Sequence, residues 1–215
     1  MVNFLILVKN ITNYSKNDID RGSTPLGIYE LCSCIRETFC LSYSIRKNNT
    51  LYLYFQNEQT IIMFKGDKLR YLGPDERSQV LLLKRAINVS QKLTNLIEKD
   101  WVKSTPGILV RRVTDNTFFY NFWKSNFKGN CYLIVDKDQY SREEFDLSFL
   151  SNETLDHIDE LLFIIASYPF SQNNTENVMF LRKLKNAKLV NLSKIKAIEN
   201  KILYINFLID QQIYT

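Results

Sequence analysis

The sequence predicts an α/β protein whose sheet is substantially parallel. Two observations carry that reading. Short apolar runs of strand length alternate with amphipathic helical stretches along the whole chain, and one run, Cys131 to Val135, is apolar without interruption, as strands buried on both faces are. With 215 residues, 45% hydrophobic and 24% charged, the chain has the balance of a globular protein with room for one full core. A single domain spanning residues 1–215 is expected.

Residues 2 to 9 read as a buried strand. Its apolar stretch, Phe4 to Val8, runs straight into Lys9 and is too short for a signal-peptide core or a membrane span. No later segment approaches spanning length, so an intracellular, cytoplasmic protein with no membrane partner is expected. After a polar connection from Asn10 to Ser23, the apolar residues Ile28, Leu31, Cys32, Ile35 and Phe39 recur at helical spacing. Leu51 to Gln56 and Thr60 to Lys65 are β-rich runs joined by Asn57-Glu58-Gln59, which fits a hairpin or two adjacent strands.

Pro74 and Asp75 then suit a helix entry, with Glu76 in the first turn. That helix is expected to reach about Glu98 on the stripe Val80, Leu83, Ile87, Leu93 and Ile97. Ser104-Thr105-Pro106-Gly107 is a turn signal before a strand from Ile108 to Val113. Phe118 to Trp123 reads as part of a short helix, and its rings suit core or interface better than base stacking. Cys131 to Val135 is the buried strand, and Ser141 with Glu144 forms a capping-box pattern. Residues 152 to 166 and Val178 to Leu184 read as helices, Lys188 to Leu192 as a strand, and Lys196 to Gln211 as a terminal helix.

The formal net charge of +5 points to an anionic partner, since surface Lys and Arg concentrate polyanions around them. The four cysteines, Cys32, Cys34, Cys40 and Cys131, lack a C-x-x-C clip, and His157 is the single histidine in the chain. A zinc site and a Ser-His-Asp hydrolase both need more imidazoles or paired thiols than these, so no metal is expected. The cysteines read as free thiols filling apolar space, and His157, among acidic residues, as a surface residue.

The stretch Leu69-Arg70-Tyr71-Leu72-Gly73-Pro74-Asp75-Glu76-Arg77-Ser78, followed at the right distance by Ser104-Thr105-Pro106-Gly107-Ile108, resembles the archaeal tRNA pseudouridine N1-methyltransferase family of the SPOUT class. Weaker similarity surrounds Gly22-Ser23, Leu31 to Ile35, Ile134-Val135-Asp136 and Asn191 to Lys194. Residues 140–178 match least and are longer than the family's usual segment. The resemblance implies a SPOUT-type fold with helices on both faces of the sheet, a C-terminal trefoil knot and a homodimer. It further implies S-adenosylmethionine as cofactor and methyl transfer to tRNA, at N1 of pseudouridine.

On that resemblance the cofactor loops fall at Val135, Asp136, Leu192, Ser193, Ile195 and Ile202. Arg70, Arg77, Arg111 and Arg112 are candidates for phosphate contacts, or else solvated arginines. Asp75, Glu76 and Arg77 suit a helix cap with local charge pairing better than an RNA or dimer contact. Several positions depart from the family pattern. Gly27 and Tyr29 stand where an Arg-x-Asp arrangement is expected, Val135 replaces a glycine, Ser193-Lys194 replaces Gly-Pro, and Lys201 and Ile202 lie near a missing cysteine. The alternative reading is therefore a catalytically inactive SPOUT-fold protein that binds RNA or a partner subunit.

Overall fold

The computed structural model describes residues 1–93, 100–113, 123, 127, 129–135, 160–166 and 187–213. Its elements run β1 (Val2–Val8), α1 (Lys16–Asp20), α2 (Leu26–Phe39), β2 (Asn49–Phe55), β3 (Thr60–Lys65), α3 (Glu76–Lys92), β4 (Val102–Thr105), β5 (Ile108–Arg112), β6 (Asn130–Val135), β7 (Leu161–Ala166), β8 (Ala187–Asn191) and α4 (Ile198–Ile213). The strands form one mixed sheet in the order β4-β5-β3-β2-β1-β7-β6-β8. From β2 across to β8 all neighbours are parallel, whereas β3, β5 and β4 pair antiparallel.

Side-chain alternation sorts the sheet into two faces, because successive residues of a strand point to opposite sides. Phe4, Ile6, Leu51, Leu53, Ile62, Phe64, Phe163, Ile165, Tyr132 and Ile134 share one core with α1, α2, α3 and α4. Their neighbours Leu5, Leu7, Tyr54, Ile61, Leu133, Leu162 and Ile164 form a second core on the other face, closed in part by Trp123. The Trp123 ring meets Tyr52 edge-on with centroids 4.7 Å apart, so this member of the aromatic cluster is core, as expected. The described helices lie on the first face. The rest of 114–122, the 141–144 cap, His157 and the 178–184 helix lie outside the described residues.

One helix expectation is overturned. Leu161–Ala166 is a strand, not the end of a helix over 152–166, and it sits between β1 and β6 with all six residues buried. A six-residue apolar run looks the same as a buried helical segment, since nothing alternates when both faces are covered. One smaller correction is local. Ser104 and Thr105 end strand β4, and the turn itself is Pro106-Gly107, where Gly107 adopts φ +81° against the backbone of Leu69. The polar connection from Asn10 to Ser23 contains α1, started by a capping box in which Ser15 and Asp18 exchange hydrogen bonds.

Helix α3 starts as expected. The Asp75 carboxylate accepts from the Ser78 N–H at 2.8 Å, and Ser78 Oγ in turn accepts from the Gly73 N–H at 3.0 Å. Described residues carry it to Lys92, with Leu93 as its C-cap. Helix α4 is tied to the rest of the fold by buried polar groups. Asn206 Nδ2 donates to Glu37 O at 2.8 Å, Asn206 Oδ1 accepts from Asn49 Nδ2 at 3.1 Å, and Asn49 Nδ2 also donates to Thr38 O at 2.8 Å. Arg46 adds a bidentate grip on Asp210.

All four cysteines are free. Burial pushes the thiols of Cys32 and Cys131 up to about 12 from an ordinary value of 9.0, and moves Cys34 well upward as well.

Two outcomes follow from these contacts. Asn206→Ala leaves Glu37 O and Asn49 Nδ2 with an unmet bond in the interior and should cost about 1–3 kcal/mol in urea unfolding. Native protein at pH 8 should react with a thiol reagent at Cys40 alone, the others reacting after denaturation. Keeping Cys32 and Cys131 neutral stabilises the fold fully below pH 9, and that stabilisation is lost as pH rises from 9 toward 12.

Candidate functional site

Parallel strands end together, so their carboxyl ends make one edge where loops from separate parts of the chain meet. Here the register Leu7–Ala166, Leu133–Ile164 and Val135–Asn191 aligns the ends of β1, β7, β6 and β8. Val135 is thus the direct cross-strand partner of Asn191, and strands β6 and β8 end side by side. The side chain of Val135, and all of Asp136, lie outside the described residues.

The second loop is a compact turn. Ile195 N–H donates to Leu192 O at 2.9 Å, and Ser193 N–H donates to Asn191 Oδ1 at 2.9 Å. The Asn191 carboxamide fixes the first peptide of the turn as a backbone carbonyl would, an Asx arrangement. Leu192 is buried beneath it, Ser193 and Ile195 are half-buried, and Lys194 is exposed. Immediately beyond, α4 begins at Ile198. Ile202, one turn in, is fully buried in the main core, so its side chain faces the sheet. Lys201 beside it is also buried. Asn191 was not singled out from sequence, although an Asn two residues before the constrained N–H is the usual signal for such a turn.

The four arginines do not converge. Arg111 and Arg112 end β5 opposite Ile61 and Thr60, and the pairs Thr60–Phe55 and Phe55–Val8 carry that row to the same carboxyl-end edge. At roughly 4.8 Å per strand, six strand spacings put Arg112 about 29 Å along that edge from Asn191. The Arg111 guanidinium lies 6.0 Å from the Trp101 ring centroid, a cation–π contact. Arg77 projects from α3 and pairs with Asp20 at 2.7 Å, both exposed. Arg70 is exposed on the opposite edge, in the loop after β3.

Gly27 and Tyr29 lie in the first turn of α2, where Gly27 faces Thr12 in the loop after β1. Tyr29 is 43% exposed. The positions expected to carry an Arg and an Asp therefore lie toward the carboxyl-end edge, with neither charge present. Among the described residues no group of three or more His, Cys, Asp and Glu comes together as a metal site. No described helix is long and apolar enough to cross a membrane.

The Leu192–Ile195 turn offers backbone groups and the half-buried Ile195, with Lys194 and Lys196 exposed on either side of it.

Comparison with known proteins agrees with this geometry. Residues 1–124 match the family model described as "Putative SAM-dependent RNA methyltransferase". The chain is 30% identical over 193 residues to the tRNA (pseudouridine(54)-N(1))-methyltransferase of Methanocaldococcus jannaschii, covering 87% of this chain and 85% of that protein. It is also 30% identical over 220 residues to the protein of the same name from Methanococcoides burtonii, covering 99% and 98%. The crystal structure of Archaeoglobus fulgidus Nep1 bound to S-adenosylhomocysteine shares the fold, with a TM-score of 0.56 at 15% identity over 99% of this chain and 98% of that one. The paired strand ends, the turn that follows Asn191 and the alignment along nearly the whole chain lead to one conclusion: the chain belongs to the SAM-dependent RNA methyltransferase family.

Proposed function

We propose that this protein is an S-adenosylmethionine-dependent tRNA methyltransferase acting at N1 of pseudouridine. The observation that supports the reading is the register of Val135 with Asn191, by which β6 and β8 end side by side at one sheet edge. The relatives named for this activity align across that edge and beyond it. When bound, S-adenosylmethionine supplies an electrophilic methyl group. The chain holds it through the loop at Val135 and Asp136 and the turn at Leu192, Ser193 and Ile195, while Ile202, fully buried in the main core, supports the start of α4 rather than touching the ligand. The buried Leu192 and the Asn191 bond keep the turn in one conformation before any ligand arrives, so less ordering entropy is lost on binding. Arg111 and Arg112 on the same edge, with Arg70 and Arg77, contact RNA phosphates.

A homodimer fits the exposed apolar residues of the helical layer. Leu203 and Phe207 lie four residues apart on α4, 48% and 51% exposed, and α4 packs on α2, whose Leu26 and Tyr29 are also exposed. That face is the proposed dimer contact. Strand order supports a knotted C-terminal part as well: the chain leaves β6 for β7 on one side and returns past it to β8 on the other. An experimental tracing of 136–159 and 167–186 checks whether it threads. The protein is proposed to act in the cytoplasm.

The inactive reading keeps one specific observation in its favour, the loss of both charges at Gly27 and Tyr29. Calorimetry with S-adenosylmethionine separates the two. Micromolar-range binding, followed by methyl transfer to tRNA containing pseudouridine, is expected. No heat of binding at high ligand concentration would move the protein to the RNA-binding, non-catalytic class. In sedimentation, Leu203→Asp with Phe207→Asp should convert a dimer to a monomer, and an unchanged sedimentation coefficient would discard this interface.

A further inference from the structure

The amino-terminal ends of the parallel strands form the edge opposite the cofactor loops. Two loops there carry exposed side chains that the fold does not use and of which only Arg70 has been given a role above. Residues 40–49 reverse direction through a bridge between Cys40 and Ile45, and residues 65–74 lead out of β3 toward α3. The loops are locked together. Gly66 N–H donates to Asn49 O at 2.9 Å, and a Cβ on Gly66 would meet Arg46 O at 2.2 Å, so only glycine permits this approach. Cys40 Sγ donates to Gly73 O at 3.7 Å.

On this platform stand two tyrosines held away from any core. Tyr43 is 102% exposed and Tyr71 77% exposed. Tyr71 also adopts φ +66°, a region a bulky residue seldom occupies, with no packing to compensate for it. The same two segments carry five cations, Arg46, Lys47, Lys65, Lys68 and Arg70, against one carboxylate, Asp67, which already pairs with Lys68 at 3.7 Å. Next along the edge lies a cavity of about 320 Å³ lined by Met1, Arg46, Lys47, Asn48, Leu161 and Asn206 among others. Arg46 grips Asp210 with its terminal nitrogens, yet its buried Nε–H has no acceptor among the described residues.

We propose that this edge is a second RNA-contact surface, taking unpaired nucleotides of the substrate. Bases stack on Tyr43 and Tyr71, phosphates lie along Lys47, Lys68 and Arg70, and one splayed base enters the cavity beside Arg46 and Lys47. Exposed rings interleaved with cations are how sequence-tolerant single-strand binders hold their ligand. The charge balance favours a polyanion over a protein partner, and the cavity, at the small end of ligand pockets, suits a single base. The inference rests on the RNA-substrate reading above and extends it to an edge far from the methyl donor.

The test uses the full chain with a fluorescently labelled, unstructured RNA of about 12 nucleotides, and whole tRNA in parallel. Tyr43→Ala combined with Tyr71→Asn, the latter chosen because Asn tolerates positive φ, should weaken oligonucleotide binding at least about tenfold. S-adenosylmethionine binding and the melting temperature should not change. Tyr43→Phe with Tyr71→Phe should bind like the parent, and Arg70→Gln should reduce the salt slope by about 0.7. A parent protein that methylates tRNA while the ring-deleted variant binds RNA equally well overturns the proposal alone. A ring-deleted variant that changes sedimentation but not RNA affinity overturns it in favour of a protein contact. A parent protein that neither binds nor methylates tRNA overturns both this proposal and the reading it rests on.

Discussion

Every position discussed above is set by β1 lying in the middle of a parallel block, covered on both faces. All seven of its residues are buried, and it is bonded to β2 on one side and β7 on the other. Parallel neighbours cannot be joined by a tight turn, so each connection must leave the carboxyl-end edge, cross a face of the sheet and return at the amino-end edge. That constraint makes two functionally distinct edges from one sheet. It sends α2 back along the sheet to the Asn49 end, and it brings the ends of β6 and β8 out beside each other.

The polar contacts that fix α4 show how the two edges are coupled. Asn206, Asn49 and Arg46 with Asp210 anchor the second half of α4 at the amino-end edge, while its first turn follows the Leu192–Ile195 turn at the other. A helix of 16 residues is a rod of about 24 Å, so anchoring one end limits where the other can lie. The turn is therefore held by an Asx bond locally and by the buried asparagines at a distance. The exposed Leu203 and Phe207 sit on the same rod, which links the proposed dimer face to both edges.

The family pattern departs at residues whose chemistry is simple to state. Gly27 brings no side chain and Tyr29 brings a phenol, so neither supplies the cation or the carboxylate that pattern expects. The turn after Asn191 is less affected by its own departures. Ser193 uses its backbone N–H for the bond that shapes the turn, a group every residue but proline possesses, so exchanging a glycine for serine leaves that bond available.

The sequence by itself determined the alternating elements, the start of α3 and the family. Capping at Asp75, the hairpin runs around Asn57 and the stripe from Ile28 to Phe39 are local signals, and local hydrogen bonding and periodicity produced the elements they indicate. The tertiary structure decided what depends on partners distant in the chain. Leu161–Ala166 is a strand because β1 and β6 stand on either side to receive its backbone groups, a fact absent from its own six residues. Likewise Arg111 and Arg112 share an edge with Asn191 while Arg70 lies on the other, although all four candidate arginines look alike in sequence. Burial on both faces removes the alternation that would have identified the strand, and only the sheet's register assigns a charged residue to an edge.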